Sequence, residues 1–213
     1  MTTKNLINGI ENELIKENIL ENINQITAYA YDEFLSEDFL EDVPFISPFI
    51  KTGKLMISVS DKLLVVKLLY FMDGVRKNNI PYDKRLDFYE KINTSDKKSR
   101  KVGFDLLSII ERTEELGKVQ IIAEAFSFCL IGKIDYKTFL RLSYSVNNSY
   151  SSDLFDLISE DEKLIKRSKE SLLISGFIKI RTGKTWNDVG TNYFELNELG
   201  DILIEVLNSL NLK

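Results

Sequence analysis

The stretch that most limits how this chain can fold lies near its C-terminus, where residues 161–207 read DEKLIKRSKESLLISGFIKIRTGKTWNDVGTNYFELNELGDILIEVL. Leucine and isoleucine recur at helical spacing up to Ser175, and Gly176 then supplies the stop that helices favour after their last turn. Phe177–Arg181 alternates as a strand does, Thr182–Gly190 is rich in turn residues, and Tyr193–Leu196 returns as an antiparallel partner. In that pairing Phe177 and Ile178 face Tyr193 and Phe194. Asn197 opens a last helix to Leu207, with Leu199, Ile202, Leu203, Val206 and Leu207 on its inner side. Ahead of these, Ser152–Ile158 and Glu160–Ser175 read as two helices.

The rest of the chain lacks strand punctuation. Only three prolines and ten glycines occur in 213 residues, and the long intervals between them are rich in Leu, Ile, Lys and Glu, which favour helix. Residues 5–30 form an amphipathic helix. Pro44 and Pro48 mark a turn or a broken helix, and Ile57–Asp73 is predicted helical. Gly74, Asn78, Asn79 and Pro81 interrupt the polar stretch that follows, before a short helix through Leu86, Phe88 and Tyr89. Val102–Leu116 and Lys118–Ile131 are the expected central helices, with Gly117 as the stop between them. The second is apolar on nearly every face, as in a helix surrounded by others.

Gly132 closes that second helix and Asp135 caps the next, Tyr136–Val146. The rhythm around Gly132 also suggests the exit of a calcium loop, but the ligand positions would fall on Ser127, Cys129, Ile131 and Thr138, which cannot form an oxygen cage. The polar run from Val146 to Ser152 is the expected linker, dividing a helical domain, residues 1–147, from a smaller one, residues 148–213. The order of elements in the smaller one resembles the back half of a winged helix. The fold class is therefore mainly α: an N-terminal helical bundle followed by a winged-helix-like α+β unit with one β-hairpin.

Chemistry is narrowly bounded. The chain has no histidine, which excludes a Ser-His-Asp triad, a Cys-His pair and His-ligated zinc. A single cysteine, Cys129, excludes an intrachain disulfide and a structural zinc site of cysteines. Cys129 lies in the apolar run AFSFCLI and reads as a small core residue. With no signal peptide at the start, the lone thiol points to a reducing, cytoplasmic setting. The acid clusters Glu37-Asp38, Glu41-Asp42 and Glu160-Asp161-Glu162 sit where helix caps and solvated faces are expected. No catalytic residues, cofactor, metal or small-molecule substrate follow from these residues, and the chain reads as a non-enzyme.

Charge is unevenly spread. Residues 1–42 hold ten acids against two bases, a net of −8, which leaves +3 for the rest of a chain whose total is −5. The acidic first part serves as a solvated helix face, as an intramolecular counterpart to the basic remainder, or as a separate partner surface. From Asp161 to Lys184 seven bases face three acids, a net of +4. Lys163, Lys166, Arg167 and Lys169 lie on one helix, and Arg181 and Lys184 flank the turn, so these six are the candidate nucleic-acid contacts. Few Asn, Gln or Arg residues on that helix suit the reading of base edges. Trp186, in a glycine-flanked turn, either folds back to cover the hairpin or stands as the candidate partner contact.

Val43–Met72 is the most hydrophobic region. Its longest uncharged run is eight residues, Val43–Ile50, too short to span a bilayer. A membrane-surface role would insert Leu63, Leu64, Leu68 and Phe71 while Lys54, Lys62 and Lys67 snorkel. A hairpin of core helices is the simpler reading.

The runs LLSIIERTEELGK, LIGKIDYKTFLRL, SSDLFDL and YFELNELGDIL, with PFISPFIKTG earlier in the chain, resemble a loosely defined set of uncharacterised bacterial and prophage proteins. The resemblance covers about half the chain, and its motifs are structural. It implies an intracellular bacterial protein of a mobile element or a phage-defence locus, and it carries over no mechanism and no site residues. The expected function is protein–protein contact, with a protein partner or self-association. The alternatives are DNA association through the C-terminal unit and membrane-surface action through residues 43–72.

Overall fold

The structure, a computed structural model, describes residues 59–92, 96–157, 162–183 and 189–210. The expectations for residues 5–30 and for the prolines at 44 and 48 lie outside the described residues. Among the described residues are eight helices and one two-stranded antiparallel sheet, so the chain is mainly helical with a single hairpin near its C-terminus. It divides into two compact units, Met1–Ala123 and Glu124–Lys213.

In the first unit, α1 (Val59–Lys77) and α2 (Tyr82–Ile92) both pack on α3 (Asp96–Arg112), and α4 begins at Leu116. Every residue of α1 from Leu64 to Val75 is buried. Leu68, Leu69, Phe71 and Met72 from α1 are core, as are Leu106, Ile109 and Ile110 from α3. So much burial brings charges inside, and each has a partner. Lys67 is 6% exposed, and its ammonium donates to the Glu111 carbonyl at 2.8 Å. That carbonyl belongs to the last turn of α3, whose oxygens have no acceptor role left within the helix. Burial lowers the Lys67 pKa from its ordinary value, while the nearby Glu111 and Glu114 charges pull it back up. Asp73 pairs with Lys77 at 2.6 Å.

Two expectations are corrected here, and an alternative reading meets most of its apolar residues in the core. Helix α1 runs through Gly74 to Lys77 instead of stopping at it, because the missing side chain is needed for packing: a Cβ at Gly74 would sit 2.7 Å from the Ala123 Cβ. The break between α3 and α4 falls at 113–115, not at Gly117, which lies in the first turn of α4 (Leu116–Leu130). There the buried Thr113 hydroxyl returns to the Ile109 carbonyl at 2.8 Å and Lys67 takes that of Glu111. The end of α3 is thus satisfied without a left-handed glycine. Finally, Leu64, Leu68 and Phe71 are core residues and Lys67 does not snorkel, so only Leu63 among the apolar residues of the membrane-surface set stands exposed. No described helix is long and apolar enough to cross a membrane.

The second unit holds the end of α4, α5 (Tyr136–Asn147), α6 (Ser151–Asp156), α7 (Glu162–Ile174), β1 (Ile178–Thr182), β2 (Asn192–Leu196) and α8 (Glu198–Ser209). Cys129 is buried, as its apolar setting implies. Gly132 ends α4, and Asp135 caps α5 by accepting from the Thr138 amide at 2.6 Å. That hydrogen bond holds the Asp135 carboxyl below the usual range. Phe126 and Phe139 meet at 5.2 Å between ring centroids. The core continues through Leu142, Val146, Leu154, Leu172, Phe177, Leu203, Val206 and Leu207. Helix α8 packs on α5 and β2, α7 on β1, and α6 on α7. Glu124, buried on α4, accepts from the Ser209 hydroxyl at 2.7 Å at the far end of α8. The polar run expected as a linker ends α5 and starts α6, with Ser149 buried and bonded to the Ser145 carbonyl.

Two glycines that the periodicity alone treats alike should respond oppositely to alanine. At Gly117 nothing lies within 4 Å of an added Cβ, so Gly117→Ala is expected to stabilise by about 0.5–1 kcal/mol. At Gly74 the Ala123 methyl is in the way, so Gly74→Ala is expected to cost about 1–3 kcal/mol. Urea unfolding of the two variants measures both signs.

Candidate functional site

The hairpin and the helix before it hold the residues that the sequence marks as functional, and local chemistry fixes where they stand. Helix α7 closes on Gly176, left-handed at φ +81. The Gly176 amide donates to the Leu173 carbonyl at 3.1 Å, and the Phe177 amide reaches back to that of Leu172 at 3.0 Å. Phe177 and Leu172, joined by that bond, are both fully buried. Phe177 is therefore the end of the helix cap and not a strand residue.

The register follows from that. Ile178 pairs with Leu196, Ile180 with Phe194 and Arg181 with Tyr193. This corrects the expected facing of Phe177 and Ile178 with Tyr193 and Phe194: Ile178 faces Leu196, and Phe177 precedes the strand. One face of the hairpin carries Ile178, Ile180, Phe194 and Leu196, and the other carries Lys179, Arg181, Tyr193 and Glu195.

One asparagine ties the two ends of the hairpin together. The Asn197 backbone amide donates to the Phe177 carbonyl at 3.1 Å, and its side-chain Nδ2 donates to the Gly176 carbonyl at 2.8 Å. Its Oδ1 accepts from the Leu199 and Gly200 amides at 3.0 and 3.1 Å, which starts α8. The first turn of α8 lies so close to the crossing chain that a Cβ at Gly200 would fall 2.2 Å from the Phe177 oxygen.

The candidate cations are spent in different ways. Arg181 Nε donates to the Glu195 carboxylate on the neighbouring strand, and the guanidinium lies 4.6 Å from the Tyr193 ring centroid. The Arg181 hydrogen bond, aided by the charges of Arg181 and Lys179, holds the Glu195 carboxyl below the usual range. Lys169 Nζ sits 4.9 Å from the Phe194 ring centroid, so its charge covers an aromatic face of the hairpin. Lys163, Lys166 and Arg167 lie on the first turns of α7, and their side chains lie outside the described part of the structure. Lys184 and Trp186 lie outside the described residues.

Apolar groups stand out where charge is neutralised. Ile174 is 85% exposed, Val189 70% and Ile180 48%, with Tyr193 at the margin of exposure. Sequence periodicity assigned Ile180 to a strand without saying that its end of the apolar face lies open. Glu195 was also missed, because its pairing depends on the register.

Two further clasps hold the frame. The buried Ser168 hydroxyl lies 3.0 Å from Asp153 Oδ1 and 2.5 Å from Asp156 Oδ2, which joins α6 to α7. The Ser175 hydroxyl bonds to the Ser171 carbonyl in the last turn of α7. Among the described residues no group of three or more acids and cysteines is placed to hold a metal ion. No family model, curated protein or solved structure matches the chain.

The Arg181–Glu195 pair gives a signed pH dependence. Because the folded Glu195 pKa is depressed, its contribution is present at neutral pH and lost as pH falls through the folded value. Wild type is expected to exceed Glu195→Gln in urea midpoint at neutral pH and to converge with it in acid, once the pH has fallen through the folded Glu195 value. High salt should narrow the neutral-pH gap. An equal gap at both pH values would show that the pair contributes nothing through charge.

Proposed function

We propose that this protein is a non-enzymatic interaction protein that acts in the cytoplasm by protein–protein contact, with a partner protein or a second copy of itself. On this reading the C-terminal unit is a winged-helix-like module in which α7 takes the place of the recognition helix and the hairpin that of the wing. A mobile element or a phage-defence locus is the setting that fits its sequence resemblance.

One observation carries the reading: the hairpin pairs Arg181 with Glu195 and leaves Ile180 and Val189 exposed, with Ile174 exposed at the end of α7. A phosphate approaching Arg181 must compete with Glu195, whereas a protein surface meeting Ile174, Ile180 and Val189 removes exposed apolar area from water. The basic sequence of α7 favours a second reading, DNA association through Lys163, Lys166, Arg167 and Lys169, and the two separate experimentally.

Ile174 is almost wholly exposed, so Ile174→Glu leaves the fold intact. Affinity purification of the full chain, followed by nuclease treatment and sedimentation velocity, is expected to show a stoichiometric protein complex or a dimer. Ile174→Glu combined with Ile180→Asp should weaken it by at least about tenfold, as for loss of a single hot spot. Lys163→Glu with Lys166→Glu should leave it unchanged. The reading fails if the chain instead retains duplex DNA with steep salt dependence and loses it in the lysine variant.

A further inference from the structure

Helix α5 sets two rows of side chains on opposite sides. Phe139, Leu142, Ser143 and Val146 are buried, and α8 packs on the helix. At about 3.6 residues per turn, Lys137, Arg141, Tyr144 and the capping Asn148 fall on one line, half a turn away from the buried row. All four are exposed. The line is about 16 Å long, at about 1.5 Å per residue. Tyr150 is 73% exposed and lies two residues past Asn148, within about 7 Å of it.

The turn that presents Tyr150 is held from several sides. The Asn148 amide donates to the Tyr144 carbonyl at 3.1 Å, and the Ser149 hydroxyl donates to that of Ser145 at 2.8 Å. The Tyr150 carbonyl accepts from the Asp153 and Leu154 amides. Charge along this face has one sign. Helix α5 carries two bases, Lys137 and Arg141, and no acid. Asp135 before it is turned to the Thr138 amide, and Asp153 and Asp156 after it are turned to the Ser168 hydroxyl. Among the described residues Lys137 and Arg141 form no salt bridge. A protein hot spot needs a packed centre shut off from water, and this line has no aliphatic residue to build one. Nucleic-acid bases bring flat faces of their own. Tyrosine rings stack on them whatever the sequence, while a basic helix face follows the phosphates.

We propose that the outer face of α5 binds single-stranded nucleic acid, with bases stacked on Tyr144 and Tyr150 and phosphates on Lys137 and Arg141. The site lies on a different element from the hairpin and stands without it. The test is fluorescence anisotropy of a labelled oligothymidylate of about 12 nucleotides, within the span of known single-strand sites, titrated with the full chain. One saturable complex is expected, tighter than that with a duplex of equal length. Two phosphate contacts predict a loss of about sevenfold in affinity between about 50 and 200 mM salt. Tyr144→Ala and Tyr150→Ala should each weaken binding about tenfold, the scale of one lost stack. Tyr144→Phe, which keeps the ring, should bind as wild type does. Arg141→Gln should weaken binding and flatten its salt dependence. Should an alanine variant not fold, amide shift mapping of the wild type decides: perturbation by the oligonucleotide along Lys137–Tyr150 supports the site. Ile174→Glu, and Lys163→Glu with Lys166→Glu, should leave this binding unchanged. No saturable binding at low salt, wild-type affinity in Tyr144→Ala, tighter binding of the duplex, or perturbation centred on α7 overturns the proposal. It is also overturned if no oligonucleotide binds and Arg141→Glu releases a co-purifying protein, which assigns the face to a protein partner.

Discussion

The C-terminal unit depends on one close approach, the first turn of α8 against the backbone at Phe177. Two-stranded hairpins are marginal in water on their own, so this one needs an anchor at its base. Asn197 supplies it by bonding to both carbonyls of the cap that ends α7 while offering its Oδ1 to the amides that begin α8. The gap left at Gly200 lets the two backbones come that near. Once Phe177 is committed to the core as part of the helix cap, Ile178 becomes the first strand residue, and the facing of every later side chain follows from the alternation of the strand.

From this register comes the character of the surface. Arg181 is brought beside Glu195 and Tyr193, so a cation that sequence alone would offer to phosphate is engaged within the hairpin. Ile180 lands at the open end of the apolar face, and Ile174 stands out on the helix just before the cap. An anchored base with exposed apolar side chains is what the proposed contact with another protein rests on. The first unit is built differently, around α1, buried from Leu64 to Val75, whose buried charges, Lys67 and Asp73, are each turned to the service of a helix end or a neighbouring turn.

Much of the architecture was legible because its signals are local. Gly176 after an amphipathic run, Asn197 and Asp135 ahead of theirs, and Gly132 between two helices each act within a few residues, and all four stand where periodicity and capping chemistry put them. What escaped was set by contacts distant in sequence. Gly74 reads as a breaker until Ala123 lies against it. The end of α3 needs no glycine only because Thr113 and Lys67 satisfy its carbonyls. The same holds for the site: counting bases from Asp161 to Lys184 registers Arg181 as available, and only the strand register reveals Glu195 beside it.

The most direct measurement is the unfolding free energy of Gly200→Ala, read together with the cross-strand nuclear Overhauser contacts between Ile180 and Phe194. An alanine at an unobstructed helix position would be neutral or stabilising. Here its methyl would meet the Phe177 oxygen, so the expected result is a loss of more than about 2 kcal/mol with those contacts displaced or gone. A variant as stable as wild type, with Ile180 still facing Phe194, would contradict the anchoring role of this crossing.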